Sequence, residues 1–183
     1  MTPAEALRAG LVVLLPTDTV YGLAVDPTVP GATQRLFDLK GRGRDVPIAV
    51  LVADAQQAWP TSAAPVPPAA LDLAARHWPG ALTLVVRRSP AWQGDIGDDI
   101  ATIGLRCPDS AVVRDLCREV GPLATTSANR HGAPTAVTVA EAVAALGPID
   151  VVIDGGPLPG TASTVVDCTV EPPAVLRQGA VHL

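Results

Sequence analysis

Short apolar runs that end at proline, glycine or small polar residues constrain this 183-residue chain more than any other feature. Residues 11–15 are five consecutive apolar residues, and Pro16 closes the run. A run of this length, bounded by a turn residue, is typical of a buried strand. The chain also contains 16 glycines and 19 prolines, more than the usual combined share of roughly 12%. Many turns are therefore expected, which disfavours a plain helical bundle.

Predicted helices and strands alternate in the middle of the chain, whereas strands cluster at both ends. This order favours α/β architecture with a mixed sheet, and the length favours a single domain over residues 1–183. Strands are predicted at residues 11–15, 20–25, 48–52, 82–86, 102–106, 123–126, 151–153, 164–166 and 174–176. Helices are predicted at residues 32–39, 69–76 and 110–120, and from Thr138 to Gly147, where Thr138 and Glu141 form a capping-box pattern. Gly41 is expected to stop the first of these helices, and Asp109 or Ser110 to cap the helix at 110–120.

Charge and composition exclude several classes of protein. The net charge is −5, and no basic run is present, which disfavours tight nucleic-acid binding but leaves a local basic patch open. No apolar run reaches about 18 residues, and the N-terminus lacks the pattern of a signal peptide. The three cysteines, Cys107, Cys117 and Cys168, form no C-x-x-C pair. We expect them to be reduced, in a cytoplasmic protein.

The familiar cofactor and metal motifs are missing from the sequence. There is no P-loop, and Gly41-Arg42-Gly43 lacks the third glycine of a dinucleotide fingerprint. His77, His131 and His182 share no metal-ligand spacing, so we interpret them as structural or solvated. No metal site built by the protein is predicted.

Three polar segments remain as signals of function. Residues 16–23 place hydroxyls and a carboxylate at a strand end, before Gly22. Residues 40–44 bring three cations together with glycines, a pattern that suits phosphate binding. Residues 125–129 end a strand with small polar side chains, where open α/β sheets bind ligands. Each alone also fits an ordinary turn or a solvated basic loop.

Taken together and in this order, these segments resemble the YrdC-like family of threonylcarbamoyl-AMP synthases. The resemblance runs from about residue 11 to residue 179. It rests on P-T-D-T-V-Y-G-L at 16–23, K-G-R at 40–42, W-P-G-A-L-T-L at 78–84, G-L-R-C-P at 104–108, T-S-A-N at 126–129, D-G-G at 154–156, S-T-V-V-D at 163–167 and L-R-Q-G at 176–179.

The resemblance implies a twisted open mixed β-sheet with flanking helices and a concave ligand cavity, in a short single-domain form. It implies the condensation of L-threonine, bicarbonate and ATP into L-threonylcarbamoyladenylate and pyrophosphate, for modification of tRNA position 37. Mg²⁺ is expected to travel with ATP. Contact with the threonylcarbamoyl-transferase complex is expected to be transient, and direct tRNA binding weak or absent.

The family's functional residues can be carried over to individual positions. Lys40 and Arg42 are expected to be catalytic and to face the triphosphate, in a site that needs charge neutralisation more than a strong base. As a loop residue, Lys40 is expected to pack little. Threonine contacts are implied for Thr19, Arg106, Thr125 and Ser163. ATP contacts are implied for Lys40, Arg42, Thr102, Ser127, Asn129, Thr135 and Arg177.

The sequence departs from the family pattern at three positions. Val46 and Leu51 stand where many relatives have ligand-contacting Asn and His, and Ala162 stands where relatives often have Glu. Arg44 or the backbone could replace the two missing contacts. Two other functions stay open: an RNA-binding module of this fold, and a carbamoyl-adenylate-forming domain like that of hydrogenase-maturation proteins.

Overall fold

A single mixed sheet organises the computed structural model, which describes residues 1–98 and 101–183. The sequence also predicts a polar, glycine-containing loop at residues 93–99, of which Asp99 lies outside the described residues. The nine strands found in the described part follow the spatial order β7-β1-β2-β6-β3-β5-β4-β8-β9. They are Val13–Pro16 (β1), Tyr21–Val25 (β2), Ala49–Leu51 (β3), Leu82–Arg87 (β4), Thr102–Arg106 (β5), Leu123–Ser127 (β6), Val151–Val152 (β7), Thr164–Asp167 (β8) and Ala174–Arg177 (β9).

The four predicted helices are present, together with two short helices that the sequence analysis missed. The helices are Pro3–Arg8 (α1), Ala32–Lys40 (α2), Ala55–Ala58 (α3), Pro68–His77 (α4), Ala111–Val120 (α5) and Val139–Leu146 (α6), and Trp59–Thr61 forms a 3₁₀ turn. Six residues of α1 are too few for a visible apolar period. Its signal is a capping box, in which Thr2 Oγ1 accepts from Glu5 N and Glu5 Oε2 accepts from Thr2 N.

Both parallel and antiparallel pairs occur, so the predicted mixed sheet is confirmed. The pairs β1–β7, β3–β5 and β4–β8 are parallel, and the other neighbours are antiparallel. β6 inserts between β2 and β3, although about 70 residues separate it from β3 along the chain. This insertion places Thr125 opposite both Ala24 and Ala49.

The two faces of the sheet differ because strand side chains alternate with a period of two. On one face, Leu23, Val50, Leu84 and Leu105 are buried in a core cluster that also contains residues of α2 and α4. On the other face, α1 and α5 pack over a second cluster that contains Leu51 and Leu123. The remainder of that second face carries small and hydroxylated residues and forms a cavity.

Helix ends follow the sequence signals with two local differences. Gly41 ends α2 with φ 62°, as the predicted glycine stop requires. Thr138 Oγ1 accepts from Glu141 N, as the predicted capping box of α6 requires, but the Glu141 carboxylate accepts from Val137 N instead of Thr138 N. Ser110 precedes α5, but its hydroxyl donates to Pro16 O instead of capping the helix.

Candidate functional site

A cavity of about 340 Å³ occupies the uncovered part of the sheet face. Its walls combine hydroxyl groups, three guanidinium groups and small apolar side chains, without any carboxylate among the described lining residues. The lining residues are Thr17, Val20, Tyr21, Gly22, Arg42, Pro47, Ile48, Ala49, Leu51, Thr83, Val85, Thr102, Gly104, Arg106, Thr125, Thr126, Ser127, Thr135, Ala162, Val165 and Arg177.

The floor of the cavity is built from residues with little or no side chain. Gly22 lies on β2, Ala49 on β3 and Gly104 on β5, all on the face that the helices leave open. A Cβ on Gly22 would stand 2.9 Å from Thr125 Cγ2, so only glycine fits beside this threonine. Because these three residues have no large side chains, a ligand can reach the backbone of the sheet.

Arg106 forms one corner of the cavity and is held by three different groups. Its Nη2 donates to Asp18 Oδ1 at 2.5 Å, its Nη1 donates to Thr19 Oγ1 at 3.0 Å, and its Nε donates to Gly80 O at 3.1 Å. The hydroxyl oxygen of Thr19 also lies 2.9 Å from that of Thr17, at hydrogen-bonding distance. A guanidinium has five N–H donors, so one on each terminal nitrogen is left for a carboxylate.

Arg42 brings a second guanidinium to the cavity from the segment that follows α2. Its Nη2 donates to Val46 O at 2.9 Å and to Pro47 O at 3.0 Å. Its Nε is buried and has no hydrogen-bond partner within the described chain. Burial lowers the pKa of Arg42, and the nearby Asp45 partly opposes that shift. A guanidinium stays charged at neutral pH, so Arg42 presents positive charge with unused donor capacity.

Arg177 supplies the third guanidinium, from β9 at the edge of the sheet. Its Nη2 donates to Ser163 O at 2.8 Å and to Ser163 Oγ at 3.2 Å. Ser163 Oγ also lies 2.8 Å from Thr83 Oγ1. Burial lowers the pKa of Arg106, and repulsion from Arg177 adds to that effect. The Asp18 carboxylate opposes this shift in the pKa of Arg106, and both guanidiniums line the cavity.

Lys40 is not the loosely packed loop residue that the sequence predicted. It is the last residue of α2, and only 3% of its surface is exposed. Its Nζ donates to Ser127 O at 2.7 Å, Asn129 O at 2.8 Å and Asn129 Oδ1 at 3.0 Å. Burial and the neighbouring Arg42 charge lower the pKa of Lys40 to about 8. Because Lys40 is buried and holds these three contacts, its replacement is expected to lower the stability of the fold.

Most residues expected to contact ligands lie around this one cavity. Seven of them line it: Arg42, Thr102, Arg106, Thr125, Ser127, Thr135 and Arg177. Four are in a supporting layer, since Thr19 contacts Arg106, Ser163 contacts Arg177, and Lys40 and Asn129 contact Ser127. Residues from six separate motif segments therefore converge on one place in the fold.

Sequence reasoning missed several residues that build this site. Thr83 and Tyr21 line the cavity, and Asp18 anchors Arg106. The Tyr21 hydroxyl donates to Gly156 O and accepts from Gly155 N, which links the P-T-D-T-V-Y-G-L and D-G-G motifs. Thr83 could have been found from the alternation of β4, because it is a polar residue between the buried Leu82 and Leu84.

The three departures from the family pattern have different structural settings. Leu51 is buried and lines the cavity, whereas Val46 is exposed and its carbonyl accepts from Arg42. Ala162 lines the cavity. Arg44 does not line it, because its guanidinium forms ion pairs with Asp95 and Asp98. Arg44 and the backbone were the two groups expected to replace the missing Asn and His contacts. Of these, only the backbone carbonyl of Val46 contacts a residue that lines the cavity, Arg42.

Cysteine and histidine side chains take no part in the cavity lining. Cys107, Cys117 and Cys168 are free and buried. Burial raises the pKa of Cys117 to about 12 and that of Cys168 to about 11, which opposes thiolate formation. In the described ranges no group of three His, Cys, Asp or Glu residues could hold a metal ion. Nor does any helix there combine the length and apolarity needed to cross a bilayer.

The arrangement is suited to binding anions and positioning them, more than to proton transfer. Three guanidiniums face a cavity without carboxylates in its described lining, and threonine and serine hydroxyls supply neutral hydrogen bonds. Such a site can bind a carboxylate at Arg106 and phosphate oxygens at the other guanidiniums.

The chain matches one protein family over nearly its whole length. The family model Sua5_yciO_yrdC, described as "Telomere recombination", matches residues 5–179. A protein of Mycobacterium tuberculosis (strain ATCC 25618 / H37Rv), named "Putative threonylcarbamoyl-AMP synthase", is 44% identical over 181 residues. That alignment covers 96% of this chain and 82% of the relative.

Other relatives are considerably longer than this chain. The threonylcarbamoyl-AMP synthase of Bacillus subtilis (strain 168) is 39% identical over 183 residues, which cover 97% of this chain and 52% of that protein. The crystal structure of P. abyssi Sua5 complexed with L-threonine aligns with a TM-score of 0.87 at 35% identity, over 96% of this chain and 52% of that chain. This chain therefore spans about half the length of these two relatives.

Proposed function

The chain belongs to the Sua5/YciO/YrdC family, and we propose that it is a threonylcarbamoyl-AMP synthase. In this reaction L-threonine, bicarbonate and ATP give L-threonylcarbamoyladenylate and pyrophosphate. The single observation that carries the proposal is the cavity with Arg42, Arg106 and Arg177 in its walls and no carboxylate among its described lining residues. Threonine would present a carboxylate to these arginines, and ATP would present its phosphates.

Threonine is proposed to bind at the Arg106 corner. The two remaining terminal N–H groups of Arg106 can take both oxygens of the substrate carboxylate. Thr125 lines the cavity. Thr19 accepts a hydrogen bond from Arg106, and Ser163 accepts one from Arg177. The threonine bound to the P. abyssi protein supports threonine as a substrate class for this fold.

ATP is proposed to bind along the rest of the cavity. Arg42 supplies charge for the phosphates, and Arg177, Ser127, Thr102 and Thr135 line the walls where the nucleotide would lie. Asn129 supports this wall through its contact with Ser127. Lys40 stands behind the same wall.

The described residues do not provide a cage for a resident Mg²⁺ ion, because hydroxyls and guanidiniums are poor substitutes for carboxylate ligands. We propose that Mg²⁺ enters as part of the ATP substrate, bound to its phosphates.

The chemistry requires little acid–base help from the protein. The amine of threonine and bicarbonate give a carbamate and release water, and a carbamate oxygen attacks the α-phosphorus of ATP. The bond from that phosphorus to the bridging oxygen breaks, and pyrophosphate leaves. The protein's contribution is to align the carbamate with the phosphorus and to neutralise charge that develops on the phosphate oxygens.

The product would serve N6-threonylcarbamoyladenosine formation at tRNA position 37. Transient contact with a threonylcarbamoyl-transferase complex, weak or absent direct tRNA binding, and a cytoplasmic location are parts of the proposal. The acidic balance of the chain, at −5, supports weak RNA affinity.

A pyrophosphate-release assay tests the proposal directly. ATP and bicarbonate are supplied with each amino acid in turn, and the nucleotide products are separated. We expect pyrophosphate and an AMP-linked product with threonine only. Turnover that does not depend on threonine, or that gives ADP and phosphate, would contradict the proposal.

Two controls separate the other functions that the sequence left open. Carbamoyl phosphate in place of threonine and bicarbonate should give no AMP-linked product, whereas a carbamoyl-adenylate-forming domain would use it. A gel-shift titration with tRNA at moderate salt should show no tight complex, whereas an RNA-binding module would give one.

A further inference from the structure

Every hydrogen-bond donor of the Lys40 ammonium already has a protein acceptor. The three acceptors are Ser127 O, Asn129 O and Asn129 Oδ1, all within 3.0 Å of Nζ. An ammonium group has three N–H donors and no acceptor. A phosphate oxygen could therefore bind Lys40 only by displacing one of these contacts from a side chain that is 3% exposed.

The segment that Lys40 holds leads directly into the cavity wall. Asn129 Oδ1 accepts from Lys40 Nζ and from Ser127 Oγ, the latter at 2.6 Å. Asn129 Nδ2 donates to Ala133 O, and His131 N donates to Lys40 O at 3.1 Å. The end of α2 thus fixes this segment through both side chain and backbone. Ser127 lines the cavity and so does Thr135, which lies just beyond the segment.

We infer that Lys40 is a positioning residue, which clamps residues 127–133 through Asn129 so that Ser127 and Thr135 face the nucleotide, and that it does not contact the phosphates itself. This inference rests on the proposed function. Lys40 is the only lysine and Asn129 the only asparagine of the chain. Their hydrogen bonds to each other join the end of α2 to residues 127–133.

Arg42 and Lys40 then have separate tasks although they are two residues apart. Arg42 lines the cavity and keeps an unpaired buried Nε. Lys40 does not line the cavity, and its donors are occupied. Charge for the phosphates comes from the arginine, and the geometry of the adjoining wall comes from the lysine.

Chemical acylation tests the position of Lys40 in the unmodified protein. The probe is acetic anhydride at low excess, with peptide mapping by mass spectrometry. The α-amino group of the exposed Met1 is the internal reference amine. We expect Lys40 to react at least about tenfold more slowly than Met1 because burial limits its access, with the same ratio before and after ATP is added. Rapid acylation that ATP suppresses would overturn the inference.

Substitutions test the mechanism by which Lys40 acts. Lys40→Met removes the three hydrogen bonds and should raise the ATP KM about tenfold or more, lower the Tm, and change the threonine KM by less than about twofold. Lys40→Arg keeps the charge, but a planar fork cannot match three oxygens around one nitrogen. It should therefore fail to restore ATP binding, whereas a lysine acting by charge would be rescued.

A matched control and a double variant complete the test. Arg35→Met removes the same charge from an exposed position on α2 and should leave both KM values unchanged. Lys40→Met combined with Asn129→Ala should cost less than the sum of the single changes, because both act on one segment. Full additivity, rescue by Lys40→Arg, or an unchanged Tm for Lys40→Met would each overturn the inference.

Three of the readouts distinguish failure of this inference from failure of the proposed function. Acylation and Tm need no turnover, and ATP binding can be followed by titration calorimetry. Loss of threonine dependence in the wild-type assay would reject the proposed function alone. If Lys40→Met does not fold, the acylation ratio of the wild-type protein still decides the inference.

Discussion

The guanidinium of Arg106 and the carboxylate of Asp18 form a short ion pair, with 2.5 Å between Nη2 and Oδ1, at one corner of the cavity. The two side chains are 8% and 16% exposed, so water screens the pair poorly. The pair fixes Arg106 while leaving an N–H on each terminal nitrogen for a substrate. Asp18 comes from the turn before β2 and Arg106 from the end of β5, so the contact joins two distant motifs.

Removing the charge of Asp18 should destabilise the protein but should not abolish threonine binding. Asp18→Asn leaves the buried Arg106 without an anion, which typically costs about 3 kcal/mol or more. For a chain of this size, that corresponds to a drop of roughly 6–12 °C in Tm. Added threonine should raise the Tm of the variant more than that of the wild type, because its carboxylate replaces the missing anion.

Asp109→Asn is the matched control for this measurement by thermal shift. Asp109 pairs with Arg114, but its side chain is 66% exposed. Exposed pairs contribute about 0–1 kcal/mol, so the Tm should hardly move. An equal loss of Tm in both variants, or a smaller threonine shift in Asp18→Asn, would contradict the assignment of Asp18 as the anchor of Arg106.

The two arginines Arg106 and Arg42 should respond to different substrates. Arg106→Lys keeps the charge but loses the bidentate geometry, so it should raise the KM for threonine and leave that for ATP nearly unchanged. Arg42→Lys should do the reverse. Each effect should be about 1.5–3 kcal/mol, or roughly ten- to a hundredfold. Both KM values are measured for both variants, and equal effects on the two substrates would refute separate roles.

The small side chains of the cavity floor should matter for substrate binding and little for folding. A Cβ on Gly104 would stand 3.4 Å from Thr83 Cγ2 and 3.9 Å from Ala49 Cβ, so a side chain fits the backbone there. Gly104→Val places its methyl groups in the cavity and should raise at least one substrate KM about tenfold or more, with a nearly unchanged Tm.

Ile103→Val is the corresponding control on the opposite face of the same strand. Ile103 is buried in the main core, so this change should cost about 0.5–1.5 kcal/mol of stability without altering either KM. Steady-state kinetics and thermal melts of both variants test the assignment of the two faces. A lowered Tm with normal kinetics for Gly104→Val would contradict the assignment of Gly104 to a cavity floor that substrate contacts.

Stability should depend on pH through Lys40 in a defined direction. Its pKa is lowered to about 8 in the folded protein, mainly by burial and then by the charge of Arg42. Between pH 8 and about 10.4, the unfolded chain holds a proton that the folded protein has released, so this group makes folding more favourable as the pH rises. Relative to Lys40→Met, the wild type should gain stability over that interval.

Denaturant unfolding of both proteins at pH 7, 8, 9 and 10 measures this difference. The raised pKa of Tyr21 and other titrations are common to both proteins and cancel in the comparison. Below pH 8 the difference should be constant. A difference that stays flat up to pH 10 would mean that the ammonium keeps its ordinary pKa despite its burial.

Much of the local structure could be predicted because its causes lie close together in the sequence. The run before Pro16 forms β1, and Gly41 ends α2 with a left-handed φ because glycine alone adopts it without strain. α1 was missed because six residues show no period. Ser110 does occupy the N-cap position of α5, but the expected side-chain cap was wrong because its hydroxyl donates to Pro16 O, 94 positions away.

The sequence by itself determined which segments are strands and helices and which motifs carry polar groups, since these depend on neighbours within a few residues. Only the tertiary structure decided that β6 lies between β2 and β3, which brings Ser127 beside Gly22. It also decided that Lys40 is buried against Asn129, 89 positions away. Burial and hydrogen-bond partners of this kind depend on strand order and helix packing, and no local pattern encodes them.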